Sequence, residues 1–208
     1  MVDVIWATPL YKFLKHCNSS SLEKTVLDCG AGGRFPPLSL FREFGYKSYG
    51  IELSDEALKQ ANCYCKENNM RLNFSRGDIR KIPFKTSSFS FVYSYNTIFH
   101  MTKGEVSTAM QEIERVLKPN GLCFVNFMSD SIDKSVKDEL GRRIGKGEFQ
   151  NILDNQEVVH ACYEDNEPDR YFQNFKLIHK EKRIVYDQRE TKQNRIKVAY
   201  IDYIAKRK

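Results

Sequence analysis

The stretch VLDCGAGG, residues 26–33, carries an apolar run into a carboxylate, Asp28, and then into Gly30, Ala31, Gly32 and Gly33. Glycines at the end of a strand let a ligand approach the backbone, because no Cβ stands in the way. Two phosphate-bearing ligand classes do not fit this turn. A dinucleotide site takes G-x-G-x-x-G, with the third glycine three residues beyond the second. Gly30 and Gly32 fit that spacing, but the third position is Phe35. The phosphate loop G-x-x-x-x-G-K-[ST] is also absent. Asp28 argues the same way. Two like unit charges roughly 4 Å apart repel by about 4 kcal/mol at an effective dielectric near 20. A phosphate is therefore disfavoured beside Asp28, and a positively charged ligand is attracted.

Such a turn needs a strand before it and a sheet around it. Thr25–Cys29 reads as a buried strand. Leu10–Cys17 reads as a short helix ahead of it, with Trp6 and Tyr11 as large apolar anchors. Pro36–Phe44 is predicted to be helical, with proline in the first turn and Gly45 as the stop. Lys47–Leu53 is a second strand. Ser54 caps the next helix, whose first turn holds Asp55 and Glu56, where the helix dipole favours acids. Leu72–Arg76 and Phe89–Tyr95 are strands three and four. Lys103–Leu117 is a helix with Met110, Ile113 and Leu117 on one face. KPNG is expected to turn the chain, since Asn120 and Gly121 tolerate positive φ, and LCFVNFM is strand five.

Five strand–helix alternations imply a parallel sheet with helices on both faces. The rhythm then changes. Ser129–Tyr163 is polar and reads as an inserted cap. EDNEPDRYFQNF reads as a helix. KLIHKEKRIVYD and RIKVAYIDYIAK read as two strands closing the sheet as an antiparallel hairpin. The expectation is one α/β domain over 1–208 with a doubly wound, mostly parallel seven-stranded sheet. Its parts are an N-terminal helical segment (1–24), a cofactor-binding core (25–128), the cap (129–163), and a helix and closing hairpin (164–208).

Bulk properties narrow the classes. A chain of 208 residues suits one domain. No run approaches the ~18 apolar residues of a membrane span, and residues 1–20 lack a secretory signal's basic start and apolar core. A cytoplasmic location is expected. Cys17, Cys29, Cys63, Cys65, Cys123 and Cys162 read as free thiols, without zinc-site spacing; no metal site is expected. The net charge of +6 is uneven: from Lys176 onward there are eleven Lys and Arg against four acids. Scattered among strand residues, these lysines read as a solvated sheet edge; the alternative is a face for nucleic acid.

S-adenosylmethionine meets the description of the ligand. It has an adenosine, no phosphate, a sulfonium cation and a charged α-amino group. Four segments, in order, then give a family resemblance. VLDCGAGG has Asp28, Gly30 and Gly32 in register with a first motif. In YGIELSDEAL, Glu52 ends strand two, 24 residues after Asp28. SRGDIRKIPF supplies Asp78 and Ile79. FSFVYSYNTIFHM and EIERVLKPNGLCFV supply a fourth strand, its loop and the helix and strand after it. Over about Thr25–Phe127 the chain resembles the class I S-adenosylmethionine-dependent methyltransferases, most closely the small single-domain type 11 group. It departs from that group in placing its extra glycine at Gly33 rather than at Arg34, in Ser90 for an aspartate, and in Asn120 for a glycine.

The resemblance implies a Rossmann-like methyltransferase fold and assigns roles. Asp28, Gly30, Ala31, Gly32 and Gly33 would hold the methionine part. Glu52, with Leu53 beside it, would take the ribose hydroxyls. Asp78 would accept from the adenine amino group while the Ile79 backbone reads the ring edge. Tyr95 and Asn96 would complete the cofactor site. His100 and Tyr95 are the catalytic candidates, and Trp6, Tyr11, His160 and Tyr163 the substrate candidates. The implied reaction is an in-line displacement that passes the methyl group to a small-molecule acceptor and leaves S-adenosylhomocysteine. Two alternatives stand beside it: an RNA methyltransferase using the basic C-terminal face, and a non-catalytic nucleotide-binding module.

Overall fold

The computed structural model describes residues 8–153, 156–187 and 196–208. Strand β1 (Thr25–Cys29) is buried at every residue, the signature of a strand covered on both faces. It pairs in parallel with β2 (Lys47–Glu52) on one side and β4 (Phe89–Ser94) on the other. Strand β3 (Phe74–Arg76) extends the sheet beyond β2, and β5 (Leu117–Ser129) beyond β4, both in parallel. The order β3-β2-β1-β4-β5 reverses direction between β1 and β4. Open α/β sheets bind ligands at that reversal, at the carboxyl ends of the strands.

Alternate residues of these strands feed two cores. On one face, Val26, Phe91, Tyr93 and Phe124 meet α1 (Thr8–Asn18) and α2 (Leu38–Glu43) through Phe13 and Phe41. On the other, Leu27, Val92 and Val125 meet α4 (Lys103–Val116) through Val106, Met110 and Ile113. Helix α3 (Asp55–Glu67) starts as expected, with the Ser54 hydroxyl accepting from the Ala57 N–H. Helix α4 starts with a capping box between Thr102 and Glu105.

The closing hairpin is present. Strand β10 (Ile196–Arg207) runs antiparallel to β5, and β9 (Phe175–Asp187) antiparallel to β10. Three of its basic residues are paired with acids: Lys180 with Asp169, Lys182 with Asp165, and Arg183 with the buried Asp202. Among the described residues, no helix is long and apolar enough to cross a membrane.

Three expectations need correction. The sheet has ten strands among the described residues rather than seven. Within 129–163, a short helix α5 (Lys134–Glu139) is followed by three antiparallel strands, β6 (Arg142–Gly145), β7 (Glu148–Leu153) and β8 (Gln156–Tyr163). Strand β8 joins the end of β5 through Met128–Cys162 and Ser129–Tyr163. These strands are hard to see in sequence because their exposed faces are polar and β6 is only four residues long. Second, EDNEPDRYFQNF forms a six-residue 3-10 helix, Glu167–Phe172, with Pro168 near its start, and not a longer α-helix. Third, KPNG does not separate α4 from β5. The strand begins at Leu117, already paired with Phe89, and KPNG is a bulge where the register shifts before Phe91. Asn120 takes φ +64° there.

Phe127 ties these parts together. On β5 and fully buried, it stacks on Tyr171 and meets Tyr163, Phe172 and Tyr203 edge-on. Phe127→Ala is therefore expected to cost about 3–5 kcal/mol in urea denaturation. Ile184→Ala, at an exposed position on β9, should stay within about 0.5 kcal/mol of the parent.

Candidate functional site

The glycine turn is held by its neighbours. The N–H groups of Gly30 and Ala31 both donate to the Ile51 carbonyl, at 2.9 and 3.0 Å. Gly30 sits at φ +97°, and a Cβ there would lie 2.1 Å from the Thr97 hydroxyl. Gly32 is constrained by space instead: a Cβ would meet the Ala57 methyl at 2.5 Å and the Glu52 side chain at 2.8 Å. Gly33 has open space around it but takes φ +100°. Close packing in this turn thus occurs at both Gly30 and Gly32, and positive φ at Gly30 and Gly33.

Asp28 lies opposite Tyr93 on β4 and accepts its phenolic O–H at 2.8 Å. It is almost completely buried. Loss of water pushes its pKa up to about 8; the Tyr93 bond opposes the rise and the nearby Glu52 charge adds to it. Glu52 is engaged by the backbone. Its Oε1 accepts from Leu53 N–H at 2.8 Å and Ser54 N–H at 2.9 Å, and its Oε2 from Gly32 N–H at 3.2 Å. One acceptor direction remains on Oε2. Asp78 is held by Arg80, which lowers its pKa mainly through the side-chain hydrogen bonds.

The loop after β4 is locked by β5. Asn96 adopts φ +54°, donates its N–H to Asn126 Oδ1 at 2.7 Å, and accepts from Asn126 Nδ2 at 2.7 Å. Asn126 is fully buried, so this pair gives its carboxamide an acceptor and a donor where water cannot. His100 donates its backbone N–H to Thr97 O, and its Nδ1 lies 3.2 Å from His160 Nδ1 on β8. One ring must donate that proton and the other accept it. Both rings are held below the ordinary histidine range, each mainly by loss of water, and His100 also by His160 opposite. The pair is accordingly neutral at pH 7, with one shared Nδ1 proton.

Two cavities, of about 480 and 320 Å³, meet at Gly30, Glu52, Thr97 and His100, which line both. The larger adds Asp28, Gly32, Gly33, Tyr95 and Asn96. The smaller adds Leu53, Asp78 and Ile79. Nearly the whole expected cofactor set converges on one crevice at the strands' carboxyl ends. Ala31 does not: it is fully buried, with its methyl against Gly50.

The expected substrate residues divide differently. His160 is brought to His100. Tyr163 is not at the cavities; it is fully buried in the core beside Phe127 and under Lys103. Its position at the end of β8 turns it inward, away from any acceptor. Tyr11 is exposed on α1 and lines neither cavity. Trp6 lies outside the described residues. Thr97, Arg80, Met101, Glu105 and Val159 line the crevice without having been singled out from the sequence. Thr97 and Arg80 stand inside the segments SYNT and GDIRKIPF, but side-chain type alone did not mark them. Tyr93 and Asn126 are visible as partners only once strand register is known.

A doubly wound sheet with a glycine turn, acids at three successive strand ends and a divided crevice defines an adenosyl-cofactor class of α/β protein. Residues 27–125 match the methyltransferase domain family of type 11. Over that segment the chain is similar to the class I S-adenosylmethionine-dependent methyltransferases, and it shares their fold. It is 35% identical over 103 residues to a sterol 24-C-methyltransferase of Pneumocystis carinii, covering 48% of this chain and 26% of that one. To the Saccharomyces cerevisiae sterol 24-C-methyltransferase it is 32% identical over 114 residues, covering 53% and 29%. The chain thus spans only about a quarter to a third of these curated relatives. The fold is similar to a Methanosarcina mazei S-adenosylmethionine-dependent methyltransferase, with TM-score 0.74 and 18% identity over 98% of this chain and 99% of that one. It is also similar to the Burkholderia thailandensis 1,6-didemethyltoxoflavin N1-methyltransferase, solved with S-adenosylhomocysteine, with TM-score 0.65 and 14% identity over 99% and 93%.

The environment of Asp28 is open to a stability test. The unfolded carboxyl ionises near pH 4, whereas the folded one keeps its proton to about pH 8. The folded state binds more protons across that window, so stability falls as pH rises through it. Asp28→Asn keeps an acceptor for Tyr93 and cannot ionise. Its stability relative to the parent should increase between pH 5 and pH 8 in urea denaturation; a difference that does not change with pH would mean that Asp28 ionises normally.

Proposed function

We propose that this chain is a methyltransferase that uses S-adenosylmethionine to methylate a small-molecule acceptor. The observation that carries the reading is the divided crevice, in which the glycine turn, Glu52, Asp78 and the loop after β4 face one space. The residues present fit the cofactor. Asp28 and Glu52 line the larger cavity and Glu52 and Asp78 the smaller, and the glycine turn lacks the spacing of a phosphate loop. When bound, the cofactor supplies a methyl group already activated on a sulfonium.

The chain's own residues then bind, orient and exclude water. A cation beside Asp28 favours its ionised form, so the carboxyl gives up its proton as the positive end of the ligand arrives. Glu52 holds the turn through Gly32 and has one acceptor direction left for a hydroxyl. Asp78 faces the smaller cavity as the adenine acceptor. Positioning of this kind can contribute up to roughly 7–11 kcal/mol to a two-reactant step. His100 lies at the junction of the two cavities and is the base or acceptor contact. With its Nδ1 proton on His160, its Nε2 lone pair is free to take a proton. Residues 129–163 act as a cap: Val159 of β8 lines the smaller cavity, His160 meets His100 of the loop, and Ala161 N–H bonds Phe99 O at 2.8 Å. A small acceptor is favoured over RNA because Lys180, Lys182 and Arg183 of the hairpin are already paired with acids.

Calorimetry tests the cofactor. S-adenosylhomocysteine is expected to bind in the micromolar range. Gly30→Val, which cannot fit beside Thr97, should abolish binding, and Asp78→Ala should weaken it about tenfold or more. Binding of NAD in place of S-adenosylhomocysteine would overturn the reading. A screen of acceptors with labelled methyl donor tests the activity; His100→Ala should lower turnover about 10²–10⁴-fold if His100 is the base, with S-adenosylhomocysteine affinity unchanged.

A further inference from the structure

Asp78 is engaged by Arg80 on both carboxylate oxygens. Its Oδ1 takes the Arg80 backbone N–H at 2.8 Å and Nε at 3.0 Å; its Oδ2 takes Nη2 at 2.6 Å and Nε at 3.1 Å. The Nε–H is a single hydrogen shared between both oxygens, so three N–H groups of Arg80 occupy a carboxylate that offers about four acceptor directions. The other end of the guanidinium, Nη1, bonds Glu105 Oε1. Glu105 is in turn fixed by the capping box, its Oε2 accepting from the N–H and hydroxyl of Thr102 at 2.9 Å each. Arg80 therefore bridges the loop after β3 to the first turn of α4, and all three side chains line the smaller cavity.

Building on the assignment of Asp78 as the adenine acceptor, we infer that Arg80 competes with the adenine ring for Asp78: cofactor binding moves the guanidinium off Oδ2, and Glu105 retains it. The four contacts differ in how easily they exchange. The backbone N–H bond follows from the turn itself and stays. The guanidinium bonds are made by a long side chain about a third exposed, which can rotate while one end remains on Glu105. Such partly exposed pairs are weak enough to exchange for a ligand hydrogen bond, and the second carboxylate gives the displaced charge a partner. Arg80 is thus a positioning residue that sets cofactor affinity without being a ligand.

The inference predicts opposite effects from two neighbouring variants. Arg80→Met keeps the stem and frees Asp78, so S-adenosylhomocysteine should bind roughly three- to tenfold tighter in calorimetry. Glu105→Gln keeps the capping box but removes the charge that retains Arg80, so binding should weaken by about threefold or more. In the parent protein, the Arg80 Nε–H resonance should shift on saturation with S-adenosylhomocysteine. Unchanged or weaker binding by Arg80→Met overturns the competition, because an arginine that packs on adenine gives that result. If Arg80→Met fails to fold, tighter binding by Glu105→Gln overturns it equally. A parent protein that binds no S-adenosylhomocysteine overturns instead the cofactor reading on which the inference rests.

Discussion

One strand register governs the site. Strand β1 is paired on both sides in parallel, which sets Asp28 between Gly50 and Tyr93. From that alignment the carboxyl ends of β1, β2 and β4 open on the same edge, and the segments that follow them face one another. A slip of one residue would turn every alternate side chain to the opposite face. Both faces of β1 are buried in cores with distinct shapes, so such a slip is heavily disfavoured. The turn depends on the same register, because the Ile51 carbonyl that receives Gly30 and Ala31 N–H belongs to the adjacent strand.

Polar pairs then fix what the sheet brings together. Asp28 with Tyr93, Asn96 with Asn126, and His100 with His160 each place a polar group on a segment lining the crevice against a partner on another element. Breaking one such pair leaves a buried group unsatisfied, at a cost of about 1–3 kcal/mol. That penalty orients side chains more sharply than apolar packing would. It also explains why the loop after β4 accepts φ +54° at Asn96: asparagine tolerates the left-handed region, and the bonds to Asn126 hold it there.

The segment between β5 and the C-terminal hairpin has a different character. It adds β6, β7 and β8 beyond the end of β5 and brings Val159 to the crevice and His160 to His100, while Tyr163 turns into the core around Phe127. The family match covers residues 27–125 and stops short of this later segment. The C-terminal hairpin serves the sheet; Lys180, Lys182 and Arg183 are matched by acids on the 3-10 helix, the segment just before it and β10.

Much of the core was determined by the sequence itself. The strand–helix alternation through residue 128, the Ser54 cap, the closing hairpin and the glycine turn follow from local pattern, because apolar period and turn chemistry act over a few residues. The cofactor class follows as well, from Asp28, the missing third glycine, Glu52 and Asp78 taken in order. Tertiary structure alone decided the rest. Strands β6 to β8 are specified by pairing partners rather than by their own alternation, and KPNG became a bulge because Leu117 was already paired with Phe89. Tyr163 and Tyr11 look alike in sequence as substrate candidates; only packing sends one into the core and leaves the other on α1. The pairing of His100 with His160 and the hold of Arg80 on Asp78 depend on side-chain geometry between elements, which residue type and spacing do not encode.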